Sequence, residues 1–404
     1  MTWIREVELG TPIQQTADQR VRYSSQVSID DYKQHTDPAQ GYFDRAVIGA
    51  GTWDYQQTGT GATRMIVTSG TDAVIAQSYQ WHNYYAGKPI KVELTASEFH
   101  AETEVSKSIG YYSSTVTTPF ETDFDGFMFH NDGTELSCRI YRDGVLMFDK
   151  KFGDWDNQEL LTNFDPEKFN LYMIDFLYLG GAACRFWVMT EYGLVKVAEY
   201  QHIGVDAGTF VKSPNQPIRY EIRSSGGNGG LNHICADVAV EGITSPVGFP
   251  FGFNMGATTM SSLNTATRYA LLGVRHLTNG ANYRNFVQEL RSVSVVGQTA
   301  DDLLIEIFIG GTLAGTPTWT PIPFTHMEGF AGQLIGGIAS SVHSGGVRIH
   351  SGYLRGNDSS EVFVQTARRI GSFIDGTSEI MYLCVTPLTN NATVAGGINM
   401  YELV

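Results

Sequence analysis

Tight turns between short runs of alternating apolar and polar residues constrain this chain more than any other feature. In Phe127-Met-Phe-His-Asn-Asp-Gly-Thr-Glu-Leu-Ser-Cys-Arg-Ile-Tyr141 the tripeptide Asn131-Asp132-Gly133 separates two such runs. Asp143-Gly144 then turns the second run back into Val145-Leu-Met-Phe148, and Glu191-Tyr192-Gly193 lies between Cys184-Arg-Phe-Trp-Val-Met189 and Leu194-Val-Lys-Val-Ala198. Asp-Gly pairs supply the positive φ that tight hairpins need, and period-two alternation buries one face of a strand while wetting the other. The chain reads as a meandering antiparallel β-protein.

The same pattern recurs at Phe43–Ile48, Arg64–Thr68, Ile90–Leu94, Leu171–Phe176, Ile218–Arg223 and His233–Val240. It resumes at Arg268–Arg275, Val287–Val296, Leu303–Ile309, Val347–His350, Val362–Val364 and Glu379–Val385. Pro and Gly in Glu241–Pro250 interrupt the series, and 404 residues exceed what one core usually organises. The expected fold class is therefore all-β, with two antiparallel, jelly-roll-like β-sandwich domains at 41–242 and 243–404. Residues 1–40 are polar and weakly periodic, with Gln14-Gln15, Ser24-Ser25 and Asp30-Asp31, and read as an extended N-terminal arm that orders on a partner. Ser224–Gly230 reads as a flexible loop, and Asn163–Lys168 as one helical turn around Pro166. Repeated helices, which a Rossmann fold or an α/β barrel needs between its strands, are missing.

Charge narrows the partners. A formal net charge of −15 with no Lys/Arg cluster argues against nucleic acid, whose phosphates are bound by clustered cations. No apolar run approaches the roughly 20 residues that span a bilayer, so no membrane insertion is expected. Met-Thr-Trp-Ile-Arg-Glu lacks a signal-peptide core, and synthesis in a cytoplasm is the expectation. Cys138, Cys184, Cys235 and Cys384 are far apart and suit neither a zinc site nor a disulfide framework.

Candidate chemistry is sparse. Asp123, Asp125, Asn131 and Asp132 gather oxygen ligands as calcium loops do, but with the wrong spacing, and hairpin turns account for them. Glu98, His100, Glu102 and Glu104 would share one face of a strand, as a solvated face or as the acid and base of a glycosidase. His82 beside Trp81 joins an aromatic group, Tyr79–Tyr85, suited to packing or to stacking on a sugar. Ser261, Ser262 and His276 assemble into no triad from sequence, and no nucleophile elbow, Walker loop, dinucleotide fingerprint or zinc helix is present. No catalytic, cofactor-binding or metal-ligating residue is assigned.

A set of segments resembles virion structural proteins of tailed bacteriophages. They are Leu171–Phe186, Pro217–Ile222, Gly315–Thr320, Gly345–Gly352 and Gly396–Leu403, and their order along the chain carries the likeness. The resemblance implies a particle component without catalytic activity on the capsid surface, collar, tail or fibre region, located in the virion and made in the host cytoplasm. It also implies self-assembly into a homotrimer or higher ring beside other virion proteins. Two alternatives stand next to it. A receptor- or glycan-binding sandwich, with a host surface glycan as partner, would expose Trp81 or Trp155 beside a groove. A polysaccharide-degrading enzyme would place two carboxylates roughly 5 to 10 Å apart in a cleft.

Overall fold

The computed structural model describes residues 26–34, 42–56, 59, 61–68, 70–114, 123–178, 182–205, 207–242, 248–278, 285–334, 337–363, 369–389 and 391–403. The chain divides into two compact units, Met1–Ser78 with His82–Ser245, and Tyr79–Trp81 with Pro246–Val404. The division at Ser245 falls inside the Pro/Gly interruption. That the second unit counts Tyr79–Trp81 among its own residues has no counterpart in the sequence pattern.

The first unit contains β1 (Gln26–Lys33), β2 (Phe43–Ile48), β3 (Thr52–Tyr55), β4 (Thr63–Val67), β5 (Ala73–Ser78), β6 (Ile90–Ser97), β7 (Val105–Ser114) and β8 (Phe124–Asn131). It continues with β9 (Leu136–Arg142), β10 (Val145–Lys151), β11 (Asn170–Phe176), β12 (Ala183–Thr190), β13 (Gly193–Gln201), β14 (Ile218–Ser224) and β15 (Gly229–Glu241). An eight-stranded sheet runs β13-β12-β11-β6-β15-β4-β3 with β1 along β15, and a seven-stranded sheet runs β10-β9-β8-β7-β14-β5-β2. The inward phase of each strand fills one core between them, including Val92, Tyr172 and Phe186 from the first sheet and Tyr111, Phe127, Phe129 and Tyr220 from the second. The hairpins stand where the turn residues put them. Arg142 pairs with Val145 around Asp143 (φ 47°) and Gly144 (φ 82°), and Thr190 pairs with Gly193 (φ 97°).

Three expectations need correction. Part of the supposed arm is a ladder strand: β1 pairs with β15 from Gln26↔Glu241 to Lys33↔Cys235. Its sequence looks like an arm because most of its side chains are at least partly exposed, but Tyr32 is buried and meets His82 at 2.9 Å. The rest of the arm, 1–25 and 35–40, lies outside the described residues. The glycine run was expected to end before the last strand, yet β15 begins at Gly229. Finally, Asp165–Lys168 is a hydrogen-bonded turn and not a turn of helix: the Lys168 amide donates to the Asp165 carbonyl (3.0 Å), and the Asp165 carboxylate takes the Glu167 amide (3.0 Å).

The second unit contains β16 (Phe249–Asn254), β17 (Met260–Leu263), β18 (Tyr269–His276), β19 (Val287–Gly297), β20 (Leu303–Ile309), β21 (Thr312–Leu313) and β22 (Thr320–Pro321). It continues with β23 (Met327–Ala331), β24 (His343–Ser344), β25 (Val347–Leu354), β26 (Ser359–Phe363), β27 (Arg369–Ile370), β28 (Met381–Pro387) and β29 (Ala392–Leu403). One sheet is built on β16-β29-β19-β26, a second runs β22-β23-β18-β28-β20-β25, and β21 and β24 form a two-stranded sheet of their own. The core shared by the two larger sheets is aliphatic, with Leu271, Leu290, Val293, Ile305, Ile307, Leu383 and Ile398. Among the described residues every ladder is antiparallel and the regular structure is strands with a few short 3-10 turns, so the fold is all-β and built of packed sheets.

Candidate binding cleft

Four adjacent strands, β14, β7, β8 and β9, carry the site on the face of the seven-stranded sheet that turns away from the core. Alternation decides which residues appear there: Ile109, Tyr111, Phe127, Phe129, Cys138 and Ile140 point into the core, so their neighbours point out. Register then sets Ser108 opposite both His130 and Glu221, and Ser106 opposite Arg223. Toward one end Tyr112, Phe124 and Tyr141 form an aromatic group packed with Met128. Phe124 stands edge-on to Tyr112 and to Tyr141, each at 5.5 Å between ring centroids. A cleft of about 410 Å³ is lined by Glu104, Val105, Ser106, Phe124, His130, Asp132, Arg139, Tyr141, Arg223 and Ser225.

The polar groups of the cleft are tied to one another. Arg139 lies between Asp149, at 3.1 Å across the β9–β10 ladder, and Asp132, at 3.8 Å from the turn. Asp132 Oδ1 accepts the amides of Thr134 (2.9 Å) and Glu135 (3.0 Å) and the Thr134 hydroxyl. Partial burial opposes the charge of Asp132, but these donors and Arg139 outweigh it and bring the carboxyl down to about 2. Burial, with Arg139 nearby, holds the His130 imidazole down to about 3, and its Nδ1 meets Ser108 Oγ at 2.8 Å. His130 is thus a neutral hydrogen-bonding ring at physiological pH. Further along the same face, Arg219 forks onto Glu221 Oε2 (3.0 and 2.7 Å) and onto Gln77 Oε1 (3.0 Å), with its guanidinium 5.6 Å over the Tyr112 ring.

One rim of the cleft joins two segments singled out in the sequence. Glu98, His100, Glu102 and Glu104 do not share a strand face; they form the connection between β6 and β7, bent by left-handed backbone at Glu98 (φ 55°) and Glu104 (φ 61°). Glu98 receives Arg64 at 2.7 Å and Asn232 at 3.0 Å, and Glu102 pairs with the buried Lys107 at 2.5 Å. Lys107 also donates to the carbonyls of Glu98 and His100, which pins the connection from beneath. Burial lowers the pKa of Lys107, and Glu102 opposes that shift. Only Glu104 of the group lines the cleft. The glycine run is fitted around these carboxylates: a Cβ at Gly226, Gly229 or Gly230 would collide with Glu104, Glu102 or Glu98, and one at Gly227 with the Thr103 carbonyl. Close approach, and not flexibility, is what requires glycine here.

The other candidates fall elsewhere. Asp123 precedes β8, Asp125 is its second residue and Asn131 ends it, roughly 20 Å or more from either at strand rise, so they cannot share an ion. Asp125 instead accepts the amides of Asp143, Lys212 and Ser213 and the Gln216 side chain, fixing the loop before β14. Neither tryptophan is exposed beside a groove, contrary to the glycan-binding expectation. Trp81 packs with Val287 and Leu403, and Trp155 lies in the first core, donating to the Lys150 carbonyl at 3.1 Å. His82 is buried between Tyr32 and the Gln216 carbonyl (2.7 Å). His276 bonds Gln288 and Ser372, not Ser261 or Ser262. Three cysteines are buried, Cys235 is partly so, and all four are free thiols. Sequence reasoning passed over Ser106, His130, Arg139, Tyr141 and Arg223, whose one signal is polar or aromatic character on the outward phase of neighbouring strands.

No protein-family model matches this chain, and no curated protein matches it. Solved structures do. A Bacillus licheniformis β-glucanase aligns at 14% identity and TM-score 0.33 over 55% of this chain and 98% of that one. The carbohydrate recognition domain of Emp47p aligns at 9% and 0.33 over 54% and 97%, and the exoplasmic/lumenal domain of VIP36, in a Ca2+/Man3GlcNAc-bound form, at 8% and 0.36 over 55% and 91%. At such identities and scores no chemistry transfers.

Proposed function

We propose that this protein is a non-catalytic carbohydrate-binding β-sandwich protein of a tailed-bacteriophage particle, and that its first unit holds the glycan in the cleft on β14, β7, β8 and β9. The observation that carries the binding reading is the cleft's lining. Serines and a neutral imidazole, which donate and accept, stand with guanidinium donors and carboxylate acceptors beside the Tyr141 and Phe124 rings. Hydroxyls of a pyranose match the polar groups, and its C–H faces match the rings. Asp132 does not suit the general-acid role of a glycosidase. Glycoside cleavage needs a general acid of raised pKa, and Asp132 is pulled the other way.

The particle setting rests on the ordered resemblance in the sequence, and one feature of the second unit favours an attachment role there. Phe324 is 95% exposed at the tip between β22 and β23 and holds φ 63°, a conformation that bulky side chains avoid. The tip is stiffened by Pro321, Pro323 and the bonds of Thr325 to the Ile322 carbonyl (2.9 Å through its hydroxyl, 3.2 Å through its amide). A rigid, displayed aromatic suits a buried contact with a neighbouring subunit.

A glycan microarray with the full chain and with Tyr141→Ala tests the binding reading. Binding that Tyr141→Ala weakens by about tenfold or more is expected. Wild-type protein that binds no glycan would overturn it, and release of reducing ends from a bound polysaccharide would restore the enzyme alternative.

A further inference from the structure

We infer that the cleft selects an uncharged glycan, neutral hexose or N-acetylhexosamine units, over acidic or cationic sugars; this rests on the carbohydrate-binding reading above. The charged groups of the lining are Arg139, Arg223, Asp132 and Glu104, two of each sign. An acidic sugar is held by an arginine whose fork is open to its carboxylate or sulfate. Arg139 does not offer that, flanked as it is by Asp149 and Asp132, and the charge of Arg223 is matched within the lining by Glu104.

His130 supplies no positive charge either, since it is buried and close to Arg139, and it stays a neutral partner of Ser108. A cationic sugar would need a carboxylate to spare. Asp132 spends one oxygen on three turn donors and the other on Arg139. Glu104 remains, and within a lining of balanced charge its oxygens serve best as acceptors for sugar hydroxyls.

The whole chain adds a second argument against acidic ligands. Its formal charge of −15 repels polyanions at long range, and the cleft holds no net positive charge to reverse that. Specificity would come from hydrogen-bond geometry, with Ser106, Ser225 and His130 reading hydroxyls and the Tyr141 ring covering an apolar sugar face.

The test is isothermal titration of the full chain against three oligosaccharide sets of similar length: neutral hexose and N-acetylhexosamine, uronate or sialylated, and glucosamine-containing. Each is run at about 50 and 500 mM salt, because exposed charge–charge attraction is screened across that range. The expected result is binding in the neutral set alone, with Kd changing less than about twofold with salt, and weakening by about tenfold in Tyr141→Ala. Preference for the acidic set with a steep loss at high salt overturns the inference while leaving the carbohydrate reading in place. Preference for the cationic set that Glu104→Gln abolishes does the same. No binding in any set removes the carbohydrate reading itself. The salt profile needs no variant, so a variant that fails to fold does not blunt the test.

Discussion

The two units follow one plan and fill it differently. In the first, Phe127, Phe129, Tyr172, Phe176, Phe186 and Tyr220 meet between the sheets, ring against ring at centroid distances such as 5.0 Å for Phe129–Tyr172 and 4.5 Å for Phe127–Phe176. In the second, Leu, Ile, Val and Met fill that space, and aromatics move to the outer face of the β18–β28–β20 sheet. There Phe308, Phe330 and Tyr382 are covered by Leu313 and Trp319 of the same chain. The second unit thus seals an outer face with its own loop, while the first keeps a polar cleft on the corresponding kind of surface. A sandwich acquires a site where its own connections leave an outward face uncovered.

The largest effect should come from cutting into the aromatic interior. Phe129 touches Trp155, Tyr172 and Phe186, so Phe129→Ala should cost about 3–5 kcal/mol, the range for buried Phe→Ala. Leu383→Ala, in the aliphatic core, should cost about 2–5 kcal/mol, without the additional 0.5–1.5 kcal/mol that a favourable aromatic pair contributes. Hydrogen exchange locates each loss: protection should fall in β8, β11 and β12 for the first variant and in β18, β20 and β28 for the second. Equal costs would show that ring-on-ring geometry adds nothing to area.

Acid should separate the units next. His130 and His233 are held by burial down to about 3 in the first unit, and His276 down to about 4 in the second. Each imidazole stays neutral when folded and protonates near 6.5 when unfolded, so its contribution is whole above about 6.5 and is lost as pH falls. The loss is roughly 2 kcal/mol per imidazole by pH 5. It ends near pH 4 for His276 and near pH 3 for the other two. Asp132, brought down to about 2, adds to the first unit's loss below its ordinary range, Asp125 and Asp237, raised by burial, offset part of it, and His343, lowered by burial, adds to the second unit's loss. Exchange protection at pH 7 and pH 4, corrected for intrinsic rates, should drop further in β8 and β15 than in β18. A larger drop in β18 would refute the assignment.

Much of this architecture was legible, and the exceptions have physical causes. Asp143-Gly144 and Glu191-Tyr192-Gly193 announced their hairpins because left-handed backbone has few tenants. β1 hid because only Tyr32 of its eight residues is buried, which leaves no alternation to see. Glu98–Glu104 looked like a strand by spacing alone, and nothing local shows that Lys107 and the glycines of 226–230 fold it into a bend. The cleft was illegible for a different reason: Arg223, Ser106, His130 and Arg139 come from four strands, and only the register of those strands brings them together.

The glycine run allows a finer cut within the first unit. Gly226 faces the mobile end of Glu104, whereas Gly227 faces the Thr103 backbone. Gly227→Ala should therefore cost about 1–3 kcal/mol, as overpacking against a fixed neighbour does, and Gly226→Ala distinctly less. Thermal unfolding of both variants measures this. Equal, small costs would mean that the run is flexible after all, as the sequence alone suggested.

The smallest change in stability should carry the reverse sign and belongs to the second unit. Phe324 buries almost nothing, so removing its ring forfeits no packing. Its φ of 63° costs a non-glycine residue roughly 1–2 kcal/mol, and Asn tolerates that conformation better than any large side chain. Phe324→Asn should consequently stabilise the second unit by up to about 1 kcal/mol, without the added unfolded-state freedom that glycine would bring. If Phe324 serves the proposed attachment role, the same variant should lose incorporation into particles while the proposed glycan binding of the first unit is unchanged. Chemical denaturation followed by exchange protection in β18 and β28 reads the stability of the second unit, and pull-down of assembled particles reads the contact. Destabilisation would place Phe324 in the unit's own packing, and normal incorporation of a stabilised variant would leave its exposure without a purpose.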